Sequence, residues 1–170
     1  MISNIQQYDY IFPTPIGNLG LALSAKGIRK LSYLSGQYKV QLPNGGFAAK
    51  VHQQLLEYFE LRRTSFDIPI DIEGTRYQRK VWDEVAKIHY GQSRTYGEIA
   101  QSINSGPRAV GNACRHNPIP IIIPCHRVVK KTGIGGYCGS VVGKDIQHKD
   151  WLLRHEMDTD QNSEIFYHHD

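Results

Sequence analysis

Residues 95–117, TYGEIAQSINSGPRAVGNACRHN, contain the signals for two short helices with a tight turn between them. Thr95 is suited to cap the first helix, and Asn104-Ser105-Gly106 has the composition of a turn. Pro107, which is favoured at a first helical position, starts the second helix, and Asn117-Pro118 stops it. Two short helices joined by a glycine-containing turn predict a helix-turn-helix motif.

Helical and apolar segments flank this motif. Thr75–Ile88 begins with an N-cap threonine and has Gln78 three residues later, which is the pattern of a capping box. Ile119–Pro124 is too apolar and too rich in proline for a surface loop, so we expect a buried extended segment. Lys149–Met157 is expected to form a final helix. The C-terminal domain, residues 75–170, is therefore predicted to be mostly helical, of the winged-helix or helix-turn-helix type.

Residues 1–74 show a different pattern, with three β-rich segments before one amphipathic segment. The β-rich segments are Tyr8–Phe12, Leu19–Leu23 and Ile28–Leu34. The last two resemble the strands of a hairpin, and Phe47–Leu61 has the apolar stripe of a helix. We therefore expect an α/β N-terminal domain, with a small antiparallel sheet and a helix, packed on the C-terminal domain.

Positive charge is concentrated in the middle of the chain. The formal net charge is +4, and residues 75–130 contain nine basic and three acidic side chains, a local excess of six. This distribution makes the helix-turn-helix region the natural place to meet a polyanion such as nucleic acid. A mildly basic, solvated surface is the alternative interpretation of the charge alone.

The remaining bulk properties favour a cytoplasmic protein that is not bound to a membrane. The longest strongly apolar stretch, Ile119–Pro124, is far shorter than the roughly 20 residues that a bilayer span needs. The N-terminal residues have neither the basic region nor the long apolar run of a secretory signal. The chain has three cysteines, and this small, odd number does not suggest a disulfide framework. The thiols are therefore free to be buried, reactive or metal-bound.

Cys125 has the most reactive surroundings of the three, because His126 follows it directly. An imidazole can lower the pKa of a thiol and take its proton. Neighbouring side chains of a regular strand point to opposite faces, but Pro124 breaks that regularity and allows a turn that brings the two together. Glu156, in the final helix, offers a carboxylate to orient the imidazole. A buried, inert cysteine is the alternative.

A metal site is a second alternative for this region. Its candidate ligands are Cys114, His116, Cys125 and Cys138. The chain has no C-x-x-C pair, which is the spacing that structural zinc sites commonly use, so we predict no metal.

Two blocks of the sequence resemble one protein family. Residues 107–118, PRAVGNACRHNP, and residues 123–128, IPCHRV, resemble the O6-alkylguanine-DNA alkyltransferases, also called methylated-DNA–protein-cysteine methyltransferases. The Pro-Cys-His-Arg-Val block is highly specific to that family, and the Arg-Ala-Val-Gly and Asn-Pro elements stand at the family's spacing. The resemblance is strong over residues 75–156 and only general over residues 1–74.

The resemblance implies suicide DNA repair, in which Cys125 irreversibly accepts the alkyl group of O6-alkylguanine and also of O4-alkylthymine. His126 would deprotonate Cys125 through a water molecule, and Glu156 would orient His126. Asn117 would brace the active-site turn. Two further residues would support the site structurally: Pro124 and Arg127.

The partner implied by the resemblance is double-stranded DNA, bound through its minor groove by a monomer that uses no cofactor. The target nucleotide has to leave the stack, because its alkyl carbon is buried in the duplex. Tyr96 would contact the guanine and crowd its phosphate, and Arg108 would fill the gap left in the duplex. Val128 and the loop around Tyr137 would wall the pocket. The other DNA contacts are implied for Thr95, Ala109, Gly111 and Arg115.

The sequence departs from the family pattern at several positions. Gly133–Tyr137 is one residue shorter than usual and Ser140–Gln147 several residues longer, and cysteines occupy pocket positions 114 and 138. Cys138 is a further candidate acceptor or oxidation site. Two rival functions stay open: a non-catalytic module that flags alkylated bases, whose members replace the acceptor cysteine, and a cysteine hydrolase, which would turn over and need an oxyanion hole.

Overall fold

The computed structural model describes residues 7–137 and 143–167, with side chains up to residue 157. The chain divides into two compact units, residues 1–73 and 74–170. The expectations for Cys138 and for residues 140–142 fall outside the described residues. Within the described ranges, no helix is both long enough and apolar enough to cross a bilayer.

The first unit contains a three-stranded antiparallel sheet and one helix, as the sequence predicts. Its elements are β1 (Tyr10–Thr14), β2 (Gly17–Leu23), β3 (Ile28–Leu34) and α1 (Gly46–Phe59). The central strand, β2, pairs with both neighbours. Leu19 and Leu21 of β2, and Val51 and Leu55 of α1, are completely buried. This burial follows the twofold period of a strand and the 3.6-residue period of a helix.

The second unit is mostly helical, again as predicted. Its elements are α2 (Arg76–Val85), β4 (Arg94–Thr95), α3 (Tyr96–Ser102), α4 (Pro107–Arg115), a 3-10 helix (Cys125–Arg127), β5 (Val128–Val129) and α5 (Lys144–Tyr167). The final helix begins earlier and ends later than the predicted Lys149–Met157. The segment Ser140–Gln147, which was expected to precede this helix, is therefore helical from Lys144 onward.

The helix starts in this unit use the side chains that the sequence indicates. Thr75 Oγ1 accepts a hydrogen bond from the backbone N–H of Gln78, and Gln78 Oε1 accepts one from the backbone N–H of Thr75, so the capping box is complete. Thr95 caps α3 in the same way, through the backbone N–H of Glu98. Pro107 is the first residue of α4. The predicted helix-turn-helix is thus α3 and α4, with a turn at Asn104, whose φ is +54°.

The segment Ile119–Pro124 is buried, as predicted, but it is not extended. The backbone N–H of Ile123 donates to the carbonyl oxygen of Ile119 at 3.0 Å, and Ile121 has a φ of +73°, a left-handed conformation that is rare for a β-branched residue. Prolines in this segment lack the amide hydrogens that a strand ladder requires. The chain therefore turns back on itself, and the prediction of an extended segment is wrong.

A two-stranded parallel pair was also absent from the sequence prediction. Arg94 pairs with Val128 and Thr95 pairs with Val129, so that β4 and β5 lie side by side. The pair places the start of α3 directly beside the residues that follow Cys125.

Candidate active site

A cavity of about 850 Å³ lies between the helix-turn-helix and the chain on either side of β5. The predicted site residues that line it are Thr95, Tyr96, Arg108, Gly111, Arg115, Cys125 and Tyr137. Ala109 lies on the exposed side of α4. Val128 is completely buried, and its neighbour Val129 lines the cavity instead, because successive side chains of a strand point in opposite directions.

Cys125 lies at the start of the 3-10 helix, and only 4% of its surface is exposed, on the cavity side. The turn before it is held by Asn117. The Asn117 side-chain amide donates to the carbonyl oxygen of Ile123 at 2.8 Å, and its oxygen accepts from the backbone N–H of Ile119 at 2.9 Å. One side chain therefore satisfies both ends of the turn that presents the thiol.

His126, the residue after Cys125, is completely buried and is oriented by Glu156. Its Nε2 lies 2.6 Å from Oε2 of Glu156. A carboxylate only accepts hydrogen bonds, so Nε2 holds the proton and Nδ1 carries the lone pair. Within the described residues, Nδ1 has no hydrogen-bond partner. Burial lowers the pKa of His126 by more than Glu156 raises it, so the imidazole is a neutral base at neutral pH.

Glu156 also binds Arg127, which fixes the carboxylate from the other side. Arg127 Nε donates to Oε1 of Glu156 at 2.6 Å, and its Nη1 donates to the carbonyl oxygen of Ile88 at 2.7 Å. The guanidinium lies over the ring of Tyr90, 5.7 Å from the ring centre. Burial opposes ionisation of Glu156, but its bonds to His126 and Arg127 prevail and lower its pKa. A carboxylate is therefore retained in the core.

Tyr96 and Lys149 form a second polar group at the cavity. Lys149 has no exposed surface, and its Nζ donates to the carbonyl oxygens of Val128 at 2.6 Å and Gly136 at 2.8 Å. It also lies 3.4 Å from the hydroxyl oxygen of Tyr96. Burial raises the pKa of Tyr96, and negative charge on Cys114 or Cys125 raises it further, so the phenol stays protonated.

Lys149 was not among the predicted site residues, although the sequence contains a signal for it. Lys149, Leu152 and Glu156 follow the i, i+3, i+7 spacing of one helix face. Leu152 is fully buried and Glu156 nearly so. A lysine on the face that also bears a predicted catalytic carboxylate is thus directed toward the interior, and a buried ammonium has to be paired.

Cys114, on α4, lines the same cavity, which agrees with the pocket position expected for it from the sequence. It is half-buried and hydrogen-bonded to Cys125. That hydrogen bond lowers the pKa of Cys114, burial raises it, and the positive charge of Lys149 lowers it, with a net decrease.

The mouth of the cavity is basic. Arg108 and Arg115 project from α4, and Lys130 and Lys131 follow β5. None of the described residues that line the cavity is acidic. No cluster of His, Cys, Asp or Glu suited to a metal ion occurs among the residues that the structure describes. The arrangement combines a thiol, a buried base and a surface suited to a polyanion.

Two family descriptions together match most of the chain. Residues 76–158 match the "6-O-methylguanine DNA methyltransferase, DNA binding domain". Residues 8–72 match the "6-O-methylguanine DNA methyltransferase, ribonuclease-like domain".

Similar proteins of known name occur in archaea and bacteria. A methylated-DNA–protein-cysteine methyltransferase of Methanosarcina acetivorans is 40% identical over 157 residues, which cover 88% of this chain and 97% of the relative. The constitutive methylated-DNA–protein-cysteine methyltransferase of Bacillus subtilis is 39% identical over 142 residues, which cover 75% of this chain and 84% of the relative.

Solved structures with the same fold include the O6-methylguanine methyltransferase of Mycobacterium tuberculosis, with a TM-score of 0.75, 37% identity, and coverage of 87% of this chain and 91% of that one. A structure of the Mycobacterium tuberculosis protein in complex with DNA matches with the same TM-score of 0.75 and 39% identity, over 87% of this chain and 91% of that one. The chain belongs to the methylated-DNA–protein-cysteine methyltransferase family.

Proposed function

We propose that the protein repairs DNA by moving the alkyl group of O6-alkylguanine, and of O4-alkylthymine, irreversibly onto Cys125. The observation that supports this most strongly is the placement of the Cys125 thiol. It faces an open cavity, while the adjacent His126 is buried, neutral and oriented by Glu156. A cavity of about 850 Å³ is large enough for an everted purine nucleotide.

The chemistry begins with ionisation of the thiol. The lone pair on His126 Nδ1 takes the proton of Cys125 through a water molecule, and the Glu156 carboxylate stabilises the imidazolium that forms. The thiolate then attacks the alkyl carbon. The sulfur–carbon bond forms as the bond from that carbon to O6 breaks, and the electron pair stays with the guanine.

The leaving guanine needs a proton, and we assign its donation to Tyr96, which lines the cavity. Burial keeps the phenol protonated until the base gains negative charge. The ammonium of Lys149, 3.4 Å from the phenol oxygen, stabilises the phenolate as the proton leaves. The phenolate is reprotonated from solvent, and the imidazolium of His126 returns its proton there. Overall, one hydrogen moves from the thiol to guanine and the alkyl group moves to sulfur.

The helix-turn-helix supplies access to the lesion. We assign α4 to the minor groove of double-stranded DNA, where its exposed Ala109 and half-buried Gly111 permit close backbone approach. Arg108, exposed near the start of α4, fills the space left by the flipped nucleotide. Phosphate contacts from Thr95 and Arg115 hold the protein without reading the sequence.

A thioether on Cys125 has no leaving group that the site can activate, so each molecule repairs one lesion. The proposed reaction uses no cofactor, and a single chain is sufficient for it. We assign the protein to the cytoplasm, the compartment that holds the DNA. Flagging without transfer is disfavoured because the thiol is present and faces the cavity.

Intact-mass measurement tests the proposal. After incubation with duplex DNA containing O6-methylguanine, the protein is expected to gain one methyl group in place of a hydrogen, in a 1:1 ratio to the lesion. Undamaged duplex and Cys125→Ala should show no gain. Continued turnover without a mass change would indicate a hydrolase, and tight binding to the lesion without transfer would indicate a flagging module.

A further inference from the structure

One polar side chain on the surface of α4 has no part in the function proposed above. Asn112 is exposed and lines the cavity, as Arg108 and Arg115 do. At 3.6 residues per helical turn, these three side chains leave α4 within about 60° of one another. Val110 and Ala113, which are buried, lie on the opposite side of the helix. Asn112 therefore belongs to the face of α4 that we assign to the minor groove.

The side-chain amide of Asn112 is not used inside the protein. A hydrogen bond to this residue engages its backbone: Nδ1 of His116 donates to the carbonyl oxygen of Asn112 at 2.8 Å. In the part of the chain that the structure describes, the amide group itself has no hydrogen-bond partner. Asparagine is also a weaker helix former than alanine, so it lowers the stability of α4 without an internal contact in return. These properties point to a partner outside the protein.

The floor of the DNA minor groove offers such a partner at every base pair. Purine N3 and pyrimidine O2 are hydrogen-bond acceptors there in any sequence, and guanine alone adds a donor. The NH2 group of asparagine donates two hydrogen bonds. Asn112 lies about 6 Å further along α4 than Arg108, which we assign to the gap left by the everted nucleotide. Because that distance is less than two base-pair steps of about 3.4 Å, the amide reaches a base pair beside the gap.

We propose that Asn112 is a positioning residue for repair in duplex DNA: its Nδ2 donates a hydrogen bond to the minor-groove acceptor, purine N3 or pyrimidine O2, of a base pair next to the everted nucleotide. This inference rests on the proposed function, because it needs α4 in the minor groove. The bond fixes the register of α4 along the duplex. Since every base pair carries such an acceptor, the bond positions the helix without imposing a sequence preference.

Atomic substitution in the DNA tests the contact directly. Replacement of adenine by 3-deazaadenine exchanges N3 for C–H and leaves the Watson–Crick edge intact. Adenines are placed at each position that flanks O6-methylguanine, on either strand, and are substituted one at a time. Single-turnover transfer is measured for the wild type, Asn112→Ala and Gln101→Ala. The last variant removes an exposed amide from α3 and is the matched control. Binding of the same duplexes is measured with Cys125→Ala, alone and combined with Asn112→Ala, so that this readout does not depend on transfer.

The wild type is expected to lose about fivefold in rate and in affinity when one of the flanking adenines lacks N3, which is the size of one neutral hydrogen bond. Asn112→Ala should be slower by a similar factor on the unsubstituted duplex and insensitive to 3-deazaadenine at that position. It should also be at least as stable to urea as the wild type, because alanine favours the helix. Gln101→Ala should behave as the wild type, and free O6-benzylguanine should react equally with all three proteins.

Wild-type transfer and binding that are insensitive to 3-deazaadenine at every flanking position overturn the inference. Equal sensitivity in the wild type and Asn112→Ala also overturns it, because another residue would then make the contact. If no methyl group is transferred to the wild type while binding shows the expected loss with Cys125→Ala and none with the combined variant, the proposed function fails and the contact of Asn112 stands.

Discussion

Nε2 of His126 and Oε2 of Glu156 lie 2.6 Å apart, in a region where the histidine has no exposed surface and the carboxylate only 2%. The other oxygen of Glu156 binds Arg127. The carboxylate therefore has two partners: it selects the His126 tautomer that leaves a lone pair on Nδ1, and it neutralises a buried guanidinium. Under the proposed function, the same side chain contributes to both the reaction and the stability of the fold.

Replacement of Glu156 by Gln should impair both contributions. The amide has one acceptor for two donors, so Arg127 or His126 loses its partner, and the unfolding free energy should fall by about 3 kcal/mol. Transfer from O6-benzylguanine should slow by about 10²-fold, because the base is no longer oriented. Urea unfolding and single-turnover rates measure the two effects.

Asp150→Asn, on the same helix and in an exposed pair with Arg154, should cost under about 1 kcal/mol. Equal costs for the two variants would contradict the assignment.

The stability of the protein should depend on pH through His126. Its folded pKa lies below the unfolded value of about 6.5, so the unfolded chain binds more protons as the pH falls. The unfolding free energy should therefore decrease as the pH drops below about 6.5, until the lowered folded pKa is reached. Urea unfolding of the wild type and His126→Gln between about pH 5.5 and 7.5 measures this.

The His126→Gln variant should show a smaller slope than the wild type over that range. A residual slope is expected from His52, whose pKa burial also lowers. Glu156 contributes its own loss of stability only at lower pH, because its folded pKa lies below the ordinary carboxyl value. An identical slope in both proteins would show that His126 titrates alike in the folded and unfolded states.

Local sequence signals predicted the helices and the sheet because the residues that determine them are close together. The capping box of Thr75 and Gln78 and the proline at the start of α4 involve contacts within one turn. The pairing of Arg94 with Val128 could not be predicted, because two-residue strands have no period and their partners are distant in the chain. The turn at Ile121 could not be predicted, because isoleucine rarely adopts a left-handed backbone conformation. The turn is held by the side chain of Asn117, which donates a hydrogen bond to the carbonyl oxygen of Ile123.

The sequence named part of the group of residues that the structure brings together at the site. The adjacent Cys125 and His126 and the family resemblance pointed to the thiol, the proposed base and its carboxylate, and the resemblance also named Asn117 and Arg127 as supporting residues. Lys149 and Cys114 contact residues of other elements that are distant in the chain, and no short motif records such contacts. Lys149 bonds Val128 and Gly136, and Cys114 bonds Cys125. Such roles require the fold before they can be recognised.

Gly135 should be intolerant of a side chain. Its φ is +78°, and an added Cβ would lie 3.0 Å from Cε2 of Tyr96 and 3.2 Å from its hydroxyl oxygen. Gly135→Ala should therefore lose about 1–2 kcal/mol of unfolding free energy and displace the phenol, which should slow alkyl transfer from free O6-benzylguanine to Cys125. Gly111→Ala is the matched control: its Cβ would lie 3.8 Å from Tyr96, an ordinary contact, within a helix that favours alanine. A stability loss in Gly111→Ala as large as in Gly135→Ala would contradict the argument.

Lys149→Met should weaken both the fold and the reaction. Methionine fills a similar space but leaves the carbonyl oxygens of Val128 and Gly136 without this donor, at a cost of about 1–3 kcal/mol. Loss of the ammonium also removes the charge that stabilises the Tyr96 phenolate, so transfer from O6-benzylguanine should slow. Rates and urea midpoints separate the two effects. If the rate per folded molecule is unchanged, Lys149 is structural only.

Arg108→Ala should distinguish duplex substrates from free base. Arg108 is exposed near the start of α4 and lines the cavity mouth, where it can occupy the space of an everted nucleotide. Only the duplex requires extrusion, which costs a few kcal/mol, so repair of duplex DNA should slow by about 10–100-fold while reaction with free O6-benzylguanine changes little. Single-turnover rates on both substrates measure the ratio.

Lys80→Ala, at an exposed position on α2, removes the same charge and should affect the duplex reaction far less. Equal losses on duplex and free base in Arg108→Ala would remove the intercalating role, and equal effects of the two variants would reduce Arg108 to a contributor of net charge.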